Sequence, residues 1–182
     1  MMTARKLALS LALVLGIAAC ATTQEEPSYQ SVANSEFVAA NYLAADMLIA
    51  RLDARIRSDQ PLIAATVVNI DALEHSSTLG RVVSEQVAGR FAQRGYRIVE
   101  MKFRNSVYMK RTEGELVLTR ELNEVARSHN AQAVVLGTYA HDTKAVYLNL
   151  KVVQPGSNVV LAVYDYVLPM NEGVKAMLGR RA

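Results

Sequence analysis

Apolar residues recur every three or four positions across one early stretch of the chain: Val38, Tyr42, Ala45, Leu48, Leu52 and Ile56. That spacing puts them on one helix face and leaves Arg51, Asp53, Arg55 and Arg57 on the others. Asn34-Ser35 and Glu36 supply capping oxygens and an acid in the first turn, and Asp59-Gln60-Pro61 stops the helix. A continuous apolar run, Leu62 to Val68, then predicts a strand buried on both faces. After a polar loop, Asn69 to Thr78, a second helix is predicted over 79–94, with Leu79, Val82, Val83, Val87 and Phe91 inward and Gly95 at its C-terminal cap. Residues 96–101 predict a second strand, and 119–129 a third helix with Leu122, Val125 and Ala126 inward and Asn130 as cap. Between them, 102–117 is too short in apolar period to decide, with Val107 to Lys110 as a short strand and Glu113-Gly114-Glu115 as a turn.

From Ala133 the pattern is that of strands. Ala133 to Ala140 predicts a strand, and Val146, Leu148, Leu150 and Val152 alternate with Tyr147, Asn149 and Lys151. Pro155-Gly156 makes a turn, and Val159 to Leu168 returns. The order predicts an α/β fold over residues 36–168: one domain, a mixed β-sheet with two helical crossovers, a C-terminal antiparallel meander over 144–168, and helices covering the sheet. Residues 169–182 are expected to be a frayed tail.

The chain begins with a different pattern. Arg5 and Lys6 precede an apolar run from Leu7 to Ala18, which as a helix spans roughly 18 Å, short of a hydrocarbon core near 30 Å. Residues 1–19 therefore read as a secretory signal peptide and not as a membrane span. Ile17-Ala18-Ala19-Cys20 resembles a bacterial lipobox, in which the cysteine after the cleavage site carries the lipid. Fatty acyl chains such as palmitate on Cys20 would give a stable anchor, since each buried CH₂ contributes about 0.8 kcal/mol. Ala21 in place of Asp favours transfer to the outer membrane, by resemblance to other lipoproteins of two-membrane bacteria. Residues 20–35 are polar, contain Pro27 and have no period, as expected of a flexible tether.

Composition narrows the chemistry further. Of 182 residues, 51% are hydrophobic and 20% charged, a globular balance. The net charge of +3 falls to +1 once Arg5 and Lys6 leave with the signal, too little for a nucleic-acid partner. A single Cys excludes an intrachain disulfide and a thiolate zinc site, and His75, His129 and His141 lack ligand spacing, so no metal and no cofactor are expected. Ser76, Ser77, Gly80 and Arg81 follow a strand and open a helix, where backbone N–H groups can hold an anion or ligand, but without the Gly spacing and Lys of a phosphate loop; simple capping by serine and close packing at Gly80 is the favoured reading. Glu113, Glu115 and Glu121 form no evident acid–base pair. Gly137 inside a buried strand permits close backbone approach, and Tyr139, Tyr147, Tyr164 and Tyr166 belong to either a recognition patch or the sheet faces.

A succession of short motifs carries a family resemblance: Leu79-Gly80-Arg81 with Ser84-Glu85-Gln86, Gly95-Tyr96-Arg97, Glu113-Gly114-Glu115, Leu118-Thr119-Arg120-Glu121, Ala131 to Val135, Gly137-Thr138-Tyr139, Tyr147-Leu148-Asn149 and Val163-Tyr164-Asp165-Tyr166. In this order, over about residues 40–168, they resemble the FlgO family, with 102–112 matching least. The resemblance implies an α/β domain like the N-terminal domain of TolB-like periplasmic proteins. It also implies an outer-membrane lipoprotein facing the periplasm and associated with the flagellum and motility. It brings no catalytic residues. The expectation is a non-enzymatic binding or assembly module, held to the membrane by its lipid and partnered by a periplasmic or outer-membrane protein of the flagellum or envelope. The alternatives are an envelope-assembly regulator that activates a cell-wall enzyme or secretion channel, and a hydrolase joining Ser76 or Ser77 to His75 and a carboxylate.

Overall fold

The computed structural model describes residues 36–52, 55–73, 76–100 and 123–179. Cys20, the signal and tether segments, His75, the 102–117 stretch and Glu113, Glu115 and Glu121 lie outside these residues. The elements are α1 (Glu36–Leu52), β1 (Pro61–Ala64), β2 (Val68–Asn69), α2 (Thr78–Gln93), β3 (Arg97–Glu100), α3 (123–128), β4 (Ala133–His141), β5 (Ala145–Gln154), β6 (Val159–Pro169) and α4 (Glu172–Met177).

The sheet runs β3-β1-β4-β5-β6, with β2 also on β4. β1 is parallel to both neighbours, Leu62 standing opposite Ile98 on one side and Ala133 on the other. The meander is antiparallel as expected, with Val135 opposite Val152 and Leu148 opposite Tyr166. α1 and α2 cover one face: Ala44, Ala45, Leu48 and Leu52 meet Leu79, Val83, Val87 and Phe91 over Leu62, Val135, Val146, Leu148, Leu150 and Val152. Ala126 of α3 covers part of the other face with Ile63, Ala65 and Val134.

Both helix ends that the sequence marks have a physical basis. Gly95 takes φ +89°, its N–H bonds Ala92 O at 2.9 Å, and Tyr96 N–H bonds Phe91 O at 3.1 Å. This paired closure also brings the Tyr96 ring edge-on to Phe91, 5.7 Å between centroids. Asn130, at φ 49°, repeats it after α3, with Ala131 N–H on Ala126 O. Gln132 then holds the loop before β1: its Oε1 accepts from Arg57 N–H at 2.7 Å while its amide donates to the carbonyls of Arg57 and Gln60.

Three expectations are corrected. The run Leu62 to Val68 is two strands, because the pairing lapses after Ala65, whose N–H still donates to Val135 O at 2.8 Å, and resumes at Val68. Val67 N–H is bonded by Ser84 Oγ at 2.7 Å, and Val67 O accepts from Ser76 Oγ at 3.0 Å, so the helix and its loop replace the missing sheet partners. The described α-helix α1 is Glu36–Leu52, and Ile56, although buried, lies in a bend after Arg55 and not in that helix. The C-terminal segment is also not all frayed. Asn171 caps α4 by accepting from Val174 N–H at 2.9 Å, and Val174 is buried in the main core.

Two polar contacts fix how α1 lies on its neighbours. Asn41, fully buried, donates to Gln86 Oε1 at 2.6 Å and accepts from the Tyr166 hydroxyl. Burial pushes the Tyr166 hydroxyl well above its ordinary range, so it stays a donor. Asp46 receives Arg90 at 3.0 and 2.8 Å and Arg94 at 2.9 Å. Hydrogen bonds from Arg90 and then Arg94 hold its carboxyl well below the usual carboxylate range.

Asp46→Asn should lower stability by about 1–2 kcal/mol at neutral pH, measured by urea unfolding. A depressed folded-state pKa contributes stability that is whole above the unfolded value near 3.9 and is lost only as pH falls through the lower folded-state value, so the gap between wild type and variant should begin to narrow near pH 4 and shrink progressively in stronger acid. Glycine substitutions in α2 should have opposite signs. A Cβ at Gly80 would lie 2.2 Å from the backbone oxygen of Val67, whereas one at Gly89 meets nothing within 4 Å. Gly80→Ala should destabilise by about 1–3 kcal/mol, while Gly89→Ala should stabilise by about 0.5–1 kcal/mol.

Candidate functional site

The loop between β2 and α2 brings together the four residues singled out as an anion or ligand loop. Ser77 is the N-cap of α2 and accepts from Gly80 N–H at 3.2 Å. Ser76 Oγ donates to Val67 O, and the Arg81 guanidinium donates to Thr78 Oγ1 at 3.1 Å. Gly80 lies directly under Val67 O. Ser76, Ser77 and Gly80 therefore cap the helix and close it onto the interrupted strand. Arg81 is exposed beside it.

The other marked residues are dispersed. His129 follows α3 and is exposed, whereas His141 ends β4 with a buried Nδ1 that has no partner. Among the described residues no group of His, Cys, Asp and Glu could hold a metal ion. Hydroxyls of Ser84 and Ser128 are bonded to the backbone carbonyls of Gly80 and Val125. Gly137 has its predicted role: an added Cβ would meet Leu150 Cδ2 at 2.5 Å and Asn149 O at 2.8 Å.

The tyrosines divide between the two faces. Tyr139 is buried, and Tyr164 and Tyr166 stack at 6.1 Å on the side covered by α1. Tyr147 alone stands on the opposite face, where the register puts it beside Ala140 and Val167. Its hydroxyl donates to Asp142 Oδ2 at 3.1 Å, which raises the phenol's pKa. Asp142 is held below the carboxylate range chiefly by the N–H groups of Lys144 and Ala145, which it caps. Next to Tyr147, Asn149 donates to Asp165 at 2.6 Å, and Lys151 lies opposite Val163. Tyr147, Val163 and Val167 are 49%, 40% and 55% exposed. This is a surface of mixed polarity suited to contact rather than to enclosing a small substrate.

Sequence reasoning missed a second surface. The end of α1 and the outer side of β6 form an open groove of about 450 Å³ lined by Ala50, Arg51, Arg55 and Val160 to Val163. Arg51 lies over the Tyr164 ring, 5.5 Å from its centroid, and donates to Met47 O at 3.1 Å. Arg55 donates to Leu161 O at 3.1 Å, where the β5–β6 register shifts by one residue. The helix period places both arginines off the buried stripe, but only the fold brings β6 beside them.

Comparison with known proteins agrees with this architecture. The C-terminal domain of LpoB from Salmonella enterica matches with a TM-score of 0.53 at 12% identity, covering 74% of this chain and 98% of that one. The same domain from Escherichia coli matches with a TM-score of 0.53 at 8% identity and the same coverage. At such identities the likeness is one of fold. No curated protein matches in sequence. The family model described as FlgO protein matches residues 42–173, from the first turns of α1 into α4, and the chain belongs to the FlgO family.

Proposed function

We propose that this chain is a lipid-anchored outer-membrane lipoprotein that faces the periplasm and acts there as a non-enzymatic binding or assembly module of the flagellum. The observation that carries this reading is the FlgO match over residues 42–173, which takes in the sheet, most of α1 and all of α2. The anchor is supported by Cys20, which follows Ala18-Ala19 at the end of an apolar run too short to cross a membrane. Among the described residues no helix is long and apolar enough to cross a membrane. A tether of residues 20–35 reaches at most about 50 Å when extended. Confinement within that distance raises the effective concentration of any partner at the membrane, so a modest contact surface suffices. The face around Tyr147, Asn149, Lys151 and Asp165 supplies one.

The alternative reading is that the same module serves envelope assembly at large and not the flagellum; the shared fold of the LpoB C-terminal domain is compatible with either.

Two experiments test these statements separately. Cys20→Ala should abolish metabolic labelling with palmitate and release the chain from the membrane fraction; a variant that still labels and still pellets removes the anchor. Deleting the gene should reduce spreading in soft agar by several-fold and alter flagella in micrographs, with a normal envelope. Normal swimming combined with detergent sensitivity or altered cell shape would replace the flagellar role with the envelope one.

A further inference from the structure

β6 is the outermost strand of the sheet, and among the described residues its one ladder partner is β5. It is eleven residues long, and Val159, Val160, Val163 and Val167 are 40–55% exposed along it. Natural sheets blunt such edges with lysine, proline, short strands or a covering element. β6 carries no lysine, and its proline, Pro169, stands at the very end. The bulge at Leu161 is its one irregularity, and there the outward carbonyl is taken by Arg55. From Ala162 to Pro169 the pairing with β5 is regular.

The groove at the start of this edge is basic. Arg51 is held across β6 by Tyr164 and Met47 O, and Arg55 by Leu161 O, and among the described residues no carboxylate pairs with either. Two guanidiniums beside free backbone groups form a site that is complementary to an extended chain with a carboxylate near one end. Arginine recognises carboxylate through paired N–H donors, and the strand edge recognises any extended backbone. Pairing of two β6 edges about mid-strand would instead bring two Asp165 carboxylates close together, an unfavourable like-charge contact.

We propose that the outer edge of β6 accepts an extended acidic segment of a partner protein as an additional strand, with its carboxylate held by Arg51 and Arg55. The proposal rests on the binding-module reading and gives it a partner chemistry. The assay reads the edge alone, so its failure leaves the family-based role untouched.

The probe is a fluorescent peptide of about eight residues that alternates valine and threonine and ends in two glutamates. It is titrated into the full chain in detergent. Binding should weaken about tenfold or more when the glutamates become lysines, and similarly in the chain carrying Arg51→Glu and Arg55→Glu. Two further peptides are N-methylated on alternate residues, one in each register. Only the version whose methyl groups face β6 should lose binding, because only that version removes the donors of an added strand. Equal binding of both N-methylated peptides would overturn strand addition, as would indifference to the charge at the peptide's end. A dimer of the full chain that blocks peptide binding would assign the edge to a second copy of the chain and overturn the proposal likewise.

Discussion

The interior strand next to the β3 edge breaks at Val67, and the two backbone groups exposed by the break must find partners outside the sheet. Buried N–H and C=O groups left unpaired cost about as much as a lost hydrogen bond each, so the surroundings of Val67 are tightly constrained. Ser84 and Ser76 reach it from α2 and its loop. Ser84 also donates to Gly80 O at 2.7 Å, which ties the first turn of the helix to the same point. Gly80 lets the helix approach the Val67 carbonyl, and Gly137 on β4 leaves room for the Val67 side chain, 3.3 Å from where a Cβ would stand. Strand break, helix position and both glycines are one packing solution.

From that point the remaining layers follow. α2 seated on the break presents Gln86, Arg90 and Arg94 to α1, which answers with Asn41 and Asp46. Asn41 in turn accepts from Tyr166 on β6, so α1 is registered against a helix and a strand by groups in a largely apolar interface. This registration carries the end of α1 over β6 and puts Arg51 on Tyr164. The basic groove is thus a product of the buried polar contacts. The edge strand gains its charged neighbours only because α1 cannot slide.

The helices and the meander were legible because each buries one face, and that face imposes a period on local sequence. α2 keeps Leu79, Val83, Val87 and Phe91 buried, and β5 keeps Val146, Leu148, Leu150 and Val152. The strand break was hidden in the run Leu62 to Val68, since its cause lies in Ser76 and Ser84, outside any local pattern. α4 was missed because one buried residue, Val174, makes no period, although Asn171 ahead of Glu172 is a capping signal. Of the surfaces, the tyrosines were named as a group, and the sheet pleat then separated Tyr147 from the rest. Arg51 and Arg55 were visible as residues off the buried helix face. Their strand lies over a hundred positions away, and nothing in the local sequence records the pairing.

Chain order of the ladders has a consequence for when the domain can fold. The pairs joining β4, β5 and β6 close loops of fewer than roughly 25 residues, whereas Leu62 waits for Ala133, roughly seventy residues later. The meander is the local, fast-closing part of the topology, and β1, which joins β3 to it, is the slow one. During synthesis the N-terminal half has no complete sheet to join until β4 has emerged. This ordering postpones compaction of the N-terminal half until most of the chain is available.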